Sequence, residues 1–101
     1  QKNNRVFVPT GFTPNNDGTN DRLLVHARAG NPVEVVTFRV FDRWGELVYE
    51  DGGFMANDPD RGWDGAFRQQ PMNSGVFLWS LEVQYQDGNR ESFKGSTTLI
   101  R

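Results

Sequence analysis

The run from Val76 to Gln86 constrains this chain more than any other part of it. Phe77, Trp79, Leu81, Val83 and Tyr85 hold the odd positions, and Ser80, Glu82, Gln84 and Gln86 hold the later even ones. Side chains of a strand alternate between two faces, so this pattern predicts a half-buried antiparallel strand with one wet face. No stretch sustains the 3.6-residue spacing of an amphipathic helix.

The return strand is Arg90 to Ile100. A two-residue Asp87–Gly88 loop sets Phe93 opposite Glu82 on the wet face. A three-residue loop, Asp87 to Asn89, pairs Val83 with Phe93, Trp79 with Thr97 and Phe77 with Leu99. A one-residue slip turns every side chain over, so the three-residue loop is expected, with Asn89 in the left-handed position. Leu81 then faces Gly95, which leaves room for a neighbouring ring.

Shorter period-two runs surround this hairpin. Arg5 to Pro9 reads as an edge strand with Val6 and Val8 on one side, stopped by proline. Gly11 to Asp21 reads as a shaped loop. Arg22 to Ala27 resumes as a strand, with Leu23, Val25 and Ala27 facing one way and Leu24 and His26 the other. Glu34 to Asp42 places Val36, Phe38 and Val40 on one face, and Asp42-Arg43-Trp44-Gly45 has the Asp-first, Gly-fourth preference of a type I turn. Glu46 to Glu50 returns. Asp51 to Arg61 reads as a polar surface loop, Trp63-Asp64-Gly65 re-enters the fold, and Gln69 to Ser74 is a further turn region. About seven short strands in 101 residues argue for an all-β sandwich in a single domain, residues 1–101.

Charge and composition narrow the function classes. The 11 basic and 13 acidic side chains are interspersed, and no basic stripe for nucleic acid is visible. Apolar runs are too short for a membrane-spanning segment. There is no cysteine, which excludes disulfides, cysteine zinc sites and thiol catalysis. The chain begins at Gln1 without a charged-then-apolar leader, and is expected to be a processed product or a piece of something longer.

Catalytic signals are weak. The lone histidine, His26, lies on the wet face of its strand with no nucleophile placed beside it, and phosphate loops and dinucleotide fingerprints are absent. Asn15, Asp17, Asn20 and Asp21 form a candidate calcium set by ligand type. The plainer reading is that Asn and Asp side chains organise the turn by bonding their own backbone. No other cofactor is expected. Of the three tryptophans, Trp79 is expected to pack, Trp63 to plug the sandwich edge, and Trp44 to sit in a turn. An exposed Trp44 would also suit a surface adhesion or carbohydrate-binding module, the alternative function.

Five motifs then occur in order. They are Phe12-Thr13-Pro14-Asn15-Asn16-Asp17-Gly18-Thr19-Asn20-Asp21, Phe41-Asp42-Arg43-Trp44-Gly45 with Val48-Tyr49, Trp63-Asp64-Gly65, Ser74-Gly75-Val76-Phe77, and Gly95-Ser96-Thr97-Thr98-Leu99-Ile100-Arg101. In this order and spacing the chain resembles the type B C-terminal sorting domain of type IX secretion, the gliding-motility-associated C-terminal domain family. The resemblance spans nearly the whole chain and departs at Asn16, where the family usually has glycine. It implies an immunoglobulin-like antiparallel β-sandwich at the C-terminus of a large secreted or cell-surface protein of Bacteroidetes. It also implies a structural role for Pro14, Asn15, Asp17, Gly18, Asn20, Asp21, Trp63, Asp64, Gly65, Gly75 and Gly95. The partners implied are the type IX translocon, its outer-membrane accessory proteins and a covalently continuous N-terminal passenger that has crossed the periplasm.

Such a domain is expected to be read on its outside rather than in a reactive cleft, so no enzymatic activity is expected. Two surfaces are candidates for partner recognition. One is the turn Arg43, Trp44 and Gly45, because Arg and Trp are frequent interface anchors. The other is the end of the last strand, Thr98, Leu99, Ile100 and Arg101, by side-chain reading or edge-strand pairing.

Overall fold

The computed structural model describes residues 6–14, 22–27, 32–58 and 60–100. Ten strands and no helix form among them: β1 (Val6–Phe7), β2 (Gly11–Phe12), β3 (His26–Ala27), β4 (Val33–Phe41), β5 (Leu47–Asp51), β6 (Phe54–Met55), β7 (Ala66–Phe67), β8 (Gln70–Pro71), β9 (Gly75–Tyr85) and β10 (Arg90–Leu99). The long strands build one sheet in the order β2-β10-β9-β4-β5. β6 shares the outer edge of β4 with β5, lying beside Glu34 and Val35. All pairings in this sheet are antiparallel except that of β2 with β10, which is parallel.

The alternation in β9 does what it predicted. Phe77, Leu81 and Val83 are buried, and Val76 and Leu78 on the opposite face are exposed. The inner face is covered by a second layer of short pieces: the β1–β3 ribbon, the β7–β8 hairpin and an isolated bridge between Leu23 and Trp63. Val6, Val8, Leu23, Val25 and Trp63 meet Val33, Val35, Phe38, Val40 and Leu99 in one core. The result is the all-β sandwich expected, with one regular layer and one thin irregular one.

Trp63 is the centre of that core rather than a plug at its edge. It is wholly buried, its ring lies 4.8 Å from Phe77 and 5.5 Å from Phe12, and its Nε1 donates to the Ala66 carbonyl at 2.8 Å. The single donor of the indole is thus satisfied, and truncating a tryptophan so enclosed costs roughly 3–5 kcal/mol. Gly62 before it has φ +137°, and a Cβ there would meet the Leu23 carbonyl across the bridge at 2.7 Å. The other two tryptophan readings stand: Trp79 packs partly buried against the core and Trp44 sits in a turn.

Several sequence expectations are corrected, each for a local reason. Val35, not Val36, points into the core, because a bulge between Val35 and Thr37 leaves Val36 without an opposite residue on β9 and resets the alternation. The bulge also places the Val36 carbonyl where a Cβ on Gly52 would stand, so glycine is required there. Gly11 and Phe12 leave the expected loop and pair with Thr98 and Leu99. Phe54 and Met55 leave the expected 51–61 loop and form β6, with Phe54 buried. Residues 22–27 do not make one strand; Leu23 makes a bridge and only His26 and Ala27 pair with β1.

The 69–74 turn region contains β8, joined to β7 through Arg68 and Gln69 at φ 55° and 68°. Two successive positive φ values make a type I′ turn, and Arg-Gln lacks the Asn-Gly signature that would announce it. The β9–β10 loop has three residues as expected, but they are Gln86, Asp87 and Gly88. Gly88 takes φ +89°, and Tyr85 N–H donates to the Asn89 carbonyl at 2.8 Å. Glycine enters the left-handed region without the cost asparagine bears, so the loop moves back by one residue. Phe93 therefore faces Leu81, Thr97 faces Phe77, and Trp79 faces Gly95. The Trp79 ring lies over Gly95 so closely that a Cβ there would stand 2.6 Å from it.

Candidate functional site

The outer face of the sheet, away from the core, is divided into two chemically different halves. Toward the β9–β10 tip it carries Arg39, Glu50, Ser80, Glu82, Arg90 and Lys94. Arg39 pairs with Glu50 at 2.7 Å and Arg90 with Glu82 at 3.4 Å. Toward the other end the charged residues of the strands stop, and only Ser96 and Thr98 are polar beside the apolar ones. Register places Leu47 beside Phe41, Phe41 beside Leu78, and Val76 beside Thr98. Ile100 reaches over Gly11 at the far edge. Leu47, Val76, Leu78 and Ile100 are exposed, and Phe41 is half-buried. An apolar strip therefore crosses the sheet from β5 to the residue after β10.

The β4–β5 tip stands at the same end. Asp42 N–H donates to the Glu46 carbonyl at 2.9 Å, and Gly45 N–H donates to the Asp42 carbonyl at 3.0 Å. The buried Asp42 carboxylate accepts from the backbone N–H of Trp44 (2.9 Å) and of Glu46 (2.8 Å). Gly45 holds φ +89°. With its backbone so fixed, the tip presents Trp44 at 78% exposure, with the Arg43 guanidinium 4.7 Å from its ring centre. A shallow groove beside the tip is lined by Arg43, Trp44, Ser74, Gly75 and Val76.

That groove connects the two surfaces expected from sequence. Gly75 pairs with Leu99 and Val76 with Thr98, so the Arg43–Trp44 tip and the end of β10 share one end of one face. Leu99 is fully buried and belongs to the core, while Thr98 and Ile100 point outward. The backbone edge at Thr98 is already paired, since Thr98 N–H donates to the Thr10 carbonyl at 2.9 Å and Ile100 N–H to that of Phe12 at 3.0 Å. Arg101, Asn15, Asp17, Gly18, Asn20 and Asp21, and with them the candidate calcium set, lie outside the described residues. Among the motif residues that are described, Gly65 is buried at φ +84°, the Asp64 carboxylate accepts from Ala66 N–H at 3.0 Å, and Gly75 opens β9. Val76, Leu78 and Leu47 were not singled out from sequence, although the two apolar residues at even positions of β9 break its wet face in plain view.

Behind the tip, β5 is anchored by a charged cluster. Arg61 bonds both Asp51 carboxylate oxygens at 2.9 Å and lies 4.8 Å from the Phe54 ring centre. Tyr49 donates to Asp51 at 3.2 Å. The Arg61 bond holds the Asp51 carboxyl below its usual range, and burial with the neighbouring Asp51 charge pushes the Tyr49 phenol up to about 12. His26 stacks on Phe7 at 4.9 Å, and its partial burial lowers its pKa. These are structural environments; none brings a nucleophile and a base together.

The comparison with curated proteins returned no match. A family model described as the CHU_C type IX secretion signal domain matches residues 6–99. The match covers every strand described above, and the chain therefore belongs to the type IX secretion signal domain family.

Proposed function

We propose that this domain sorts a larger passenger by presenting the apolar half of its outer face, with the Arg43–Trp44 tip, to a protein component of the type IX machinery. One observation carries the reading. Exposed apolar side chains from β5, β9 and the end of β10, with Trp44 beside them, gather at one end of a face whose other end is ion-paired. Contiguous apolar surface rimmed by polar residues marks interaction sites, and aromatic and arginine side chains anchor them. Family membership supports the type IX machinery as the class of partner. In this reading the passenger crosses the periplasm and ends at the cell surface or in the medium. In this reading the domain is a recognition surface without catalytic chemistry of its own.

The test fuses the chain to an inert exported protein in a host that has the pathway. The fusion is expected outside the cell only when the translocon is intact. Trp44→Ala and Leu78→Asn are expected to leave the fusion folded and retained in the periplasm. Normal export of both folded variants would overturn the assignment of this face. Binding of a glycan by the domain, lost on Trp44→Ala, would favour the carbohydrate-binding alternative.

A further inference from the structure

Among the described residues, strand β10 is paired along only part of its outer edge. Its odd residues bond toward β9, and its even residues turn their backbone N–H and C=O groups the other way, as Thr98 and Ile100 do toward Thr10 and Phe12. β2 is two residues long and its register partners are Thr98 and Leu99. Upstream, the outward backbone groups of Arg90, Ser92, Lys94 and Ser96 meet no other strand among the described residues. An unpaired edge of this kind is a template for another strand.

The side chains around the edge specify what would fit. On the inner face lie half-buried Phe93 and Gly95, the latter beneath the Trp79 ring, whose Nε1 is buried without a hydrogen-bond partner among the described residues. On the outer face the edge presents Arg90, Ser92, Lys94 and Ser96, all exposed. Arg90 is engaged by Glu82, whereas no described carboxylate pairs with Lys94. A second copy leaves Lys94 without a counter-charge. Antiparallel self-pairing centred on Ser92 sets it against Arg90, centred on Phe93 against Ser92, and centred on Lys94 against itself. Like charges directly opposite destabilise a strand pair, whereas a carboxylate opposite Lys94 stabilises one.

We propose that the Arg90–Ser96 edge takes up an extended segment of a partner protein as an added strand, with acidic side chains opposite Lys94 and apolar ones beside Phe93 and Trp79. This surface differs from the Trp44 face, and the inference goes beyond the sorting role proposed for that face.

The probe is a short synthetic peptide alternating valine and glutamate, with a valine–lysine peptide as control, added to the whole chain and followed by nuclear magnetic resonance. The acidic peptide is expected to slow amide exchange about tenfold at Ser92, Lys94 and Ser96 and to shift the Trp79 indole N–H, and the basic one to do neither. Lys94→Glu is expected to reverse that preference. Ser92→Pro removes an outward N–H without touching the ladder to β9, and is expected to abolish binding. If Ser92→Pro fails to fold, the reversal in Lys94→Glu decides alone. The proposal is overturned if neither peptide slows these amides, if the shifts fall on Phe41 and Leu78 instead, or if raising the chain's own concentration protects them. No secretion apparatus enters the measurement, so failure of the sorting assignment leaves its outcome unaffected.

Discussion

The two hairpins at opposite ends of the main sheet are built on the same turn and dressed in opposite chemistry. Each has a three-residue loop closed by a backbone bond from the residue before it to the residue after it, Asp42 to Glu46 and Tyr85 to Asn89. Each places glycine third, Gly45 and Gly88, at φ +89°. The first two loop residues are Arg43-Trp44 at one end and Gln86-Asp87 at the other. Since Gln-Asp closes the turn with the same bonds, nothing in the turn requires tryptophan, least of all one 78% exposed. The outer face repeats the contrast within β9: Ser80 and Glu82 make as good a strand as Val76 and Leu78. The turn and strand geometry is the same at both ends, so it does not account for the exposed apolar side chains at one of them.

The comparison can be broken first at the aspartates. Asp42 satisfies two backbone donors beside the core, whereas Asp87 accepts from Asn89 N–H in full solvent contact. Asp42→Ala is expected to lower stability by about 2 kcal/mol through the two unmet donors. Asp87→Ala should cost about 0.5 kcal/mol or less. Urea denaturation measures both, and equal losses would mean the Asp42 bonds do not hold the tip.

The glycines test the shared geometry. Neither Gly45 nor Gly88 has any atom within 4 Å of an added Cβ, so alanine meets only the backbone penalty of the left-handed region. Gly45→Ala and Gly88→Ala are each expected to cost about 1–2 kcal/mol, by similar amounts. A large inequality in the same denaturation assay would show the two turns to be different.

The edge strand behind Trp44 adds a pH signature. The Tyr49 phenol is raised to about 12 in the folded chain. A raised value means a contribution fully present below the ordinary phenol pKa of about 10 and lost as pH rises through the folded value. For a half-buried group screened by water, the expected loss between about pH 10 and 12 is about 1 kcal/mol. Tyr49→Phe should flatten thermal stability over that window. At the acid end Asp51, held low, contributes above the ordinary carboxylate pKa, and that contribution fades as pH falls through its depressed folded value.

The smallest stability effects belong to the surface of interest. Trp44→Ala and Leu78→Asn are each expected to change unfolding free energy by about 0.5 kcal/mol or less. The matched change at the polar end, Ser80→Asn, should be as mild and should also leave export intact. A loss of several kcal/mol for Leu78→Asn, measured by urea denaturation, would recast the strip as part of the fold.

Much of this was legible in sequence for one reason: period two is a local property. The alternation from Phe77 to Tyr85 fixed which residues are inside, and Asp42 with Gly45 announced the first tip. Legibility stopped wherever a second strand had to supply the missing term. The Val36 bulge depends on how β4 sits against β9. The short strands β2, β6, β7 and β8 carry too few residues to show a period and exist because a long strand or a turn pins them. The site followed the same divide. Arg43 and Trp44 stood out as residue types, but their union with Val76, Thr98 and Ile100 required the register.

By itself, then, the sequence determined the β class, the inward face of β9, the tip at Arg43–Trp44 and, through its ordered motifs, the family. Tertiary structure alone decided that Trp63 is the core's centre, that the apolar residues of three strands form one strip, and that the β10 edge beside Lys94 meets no other strand among the described residues. The physical reason is range. Alternation and turn preference are set by neighbours along the chain, while register, bulges and edge coverage are set by which backbone groups find partners across it.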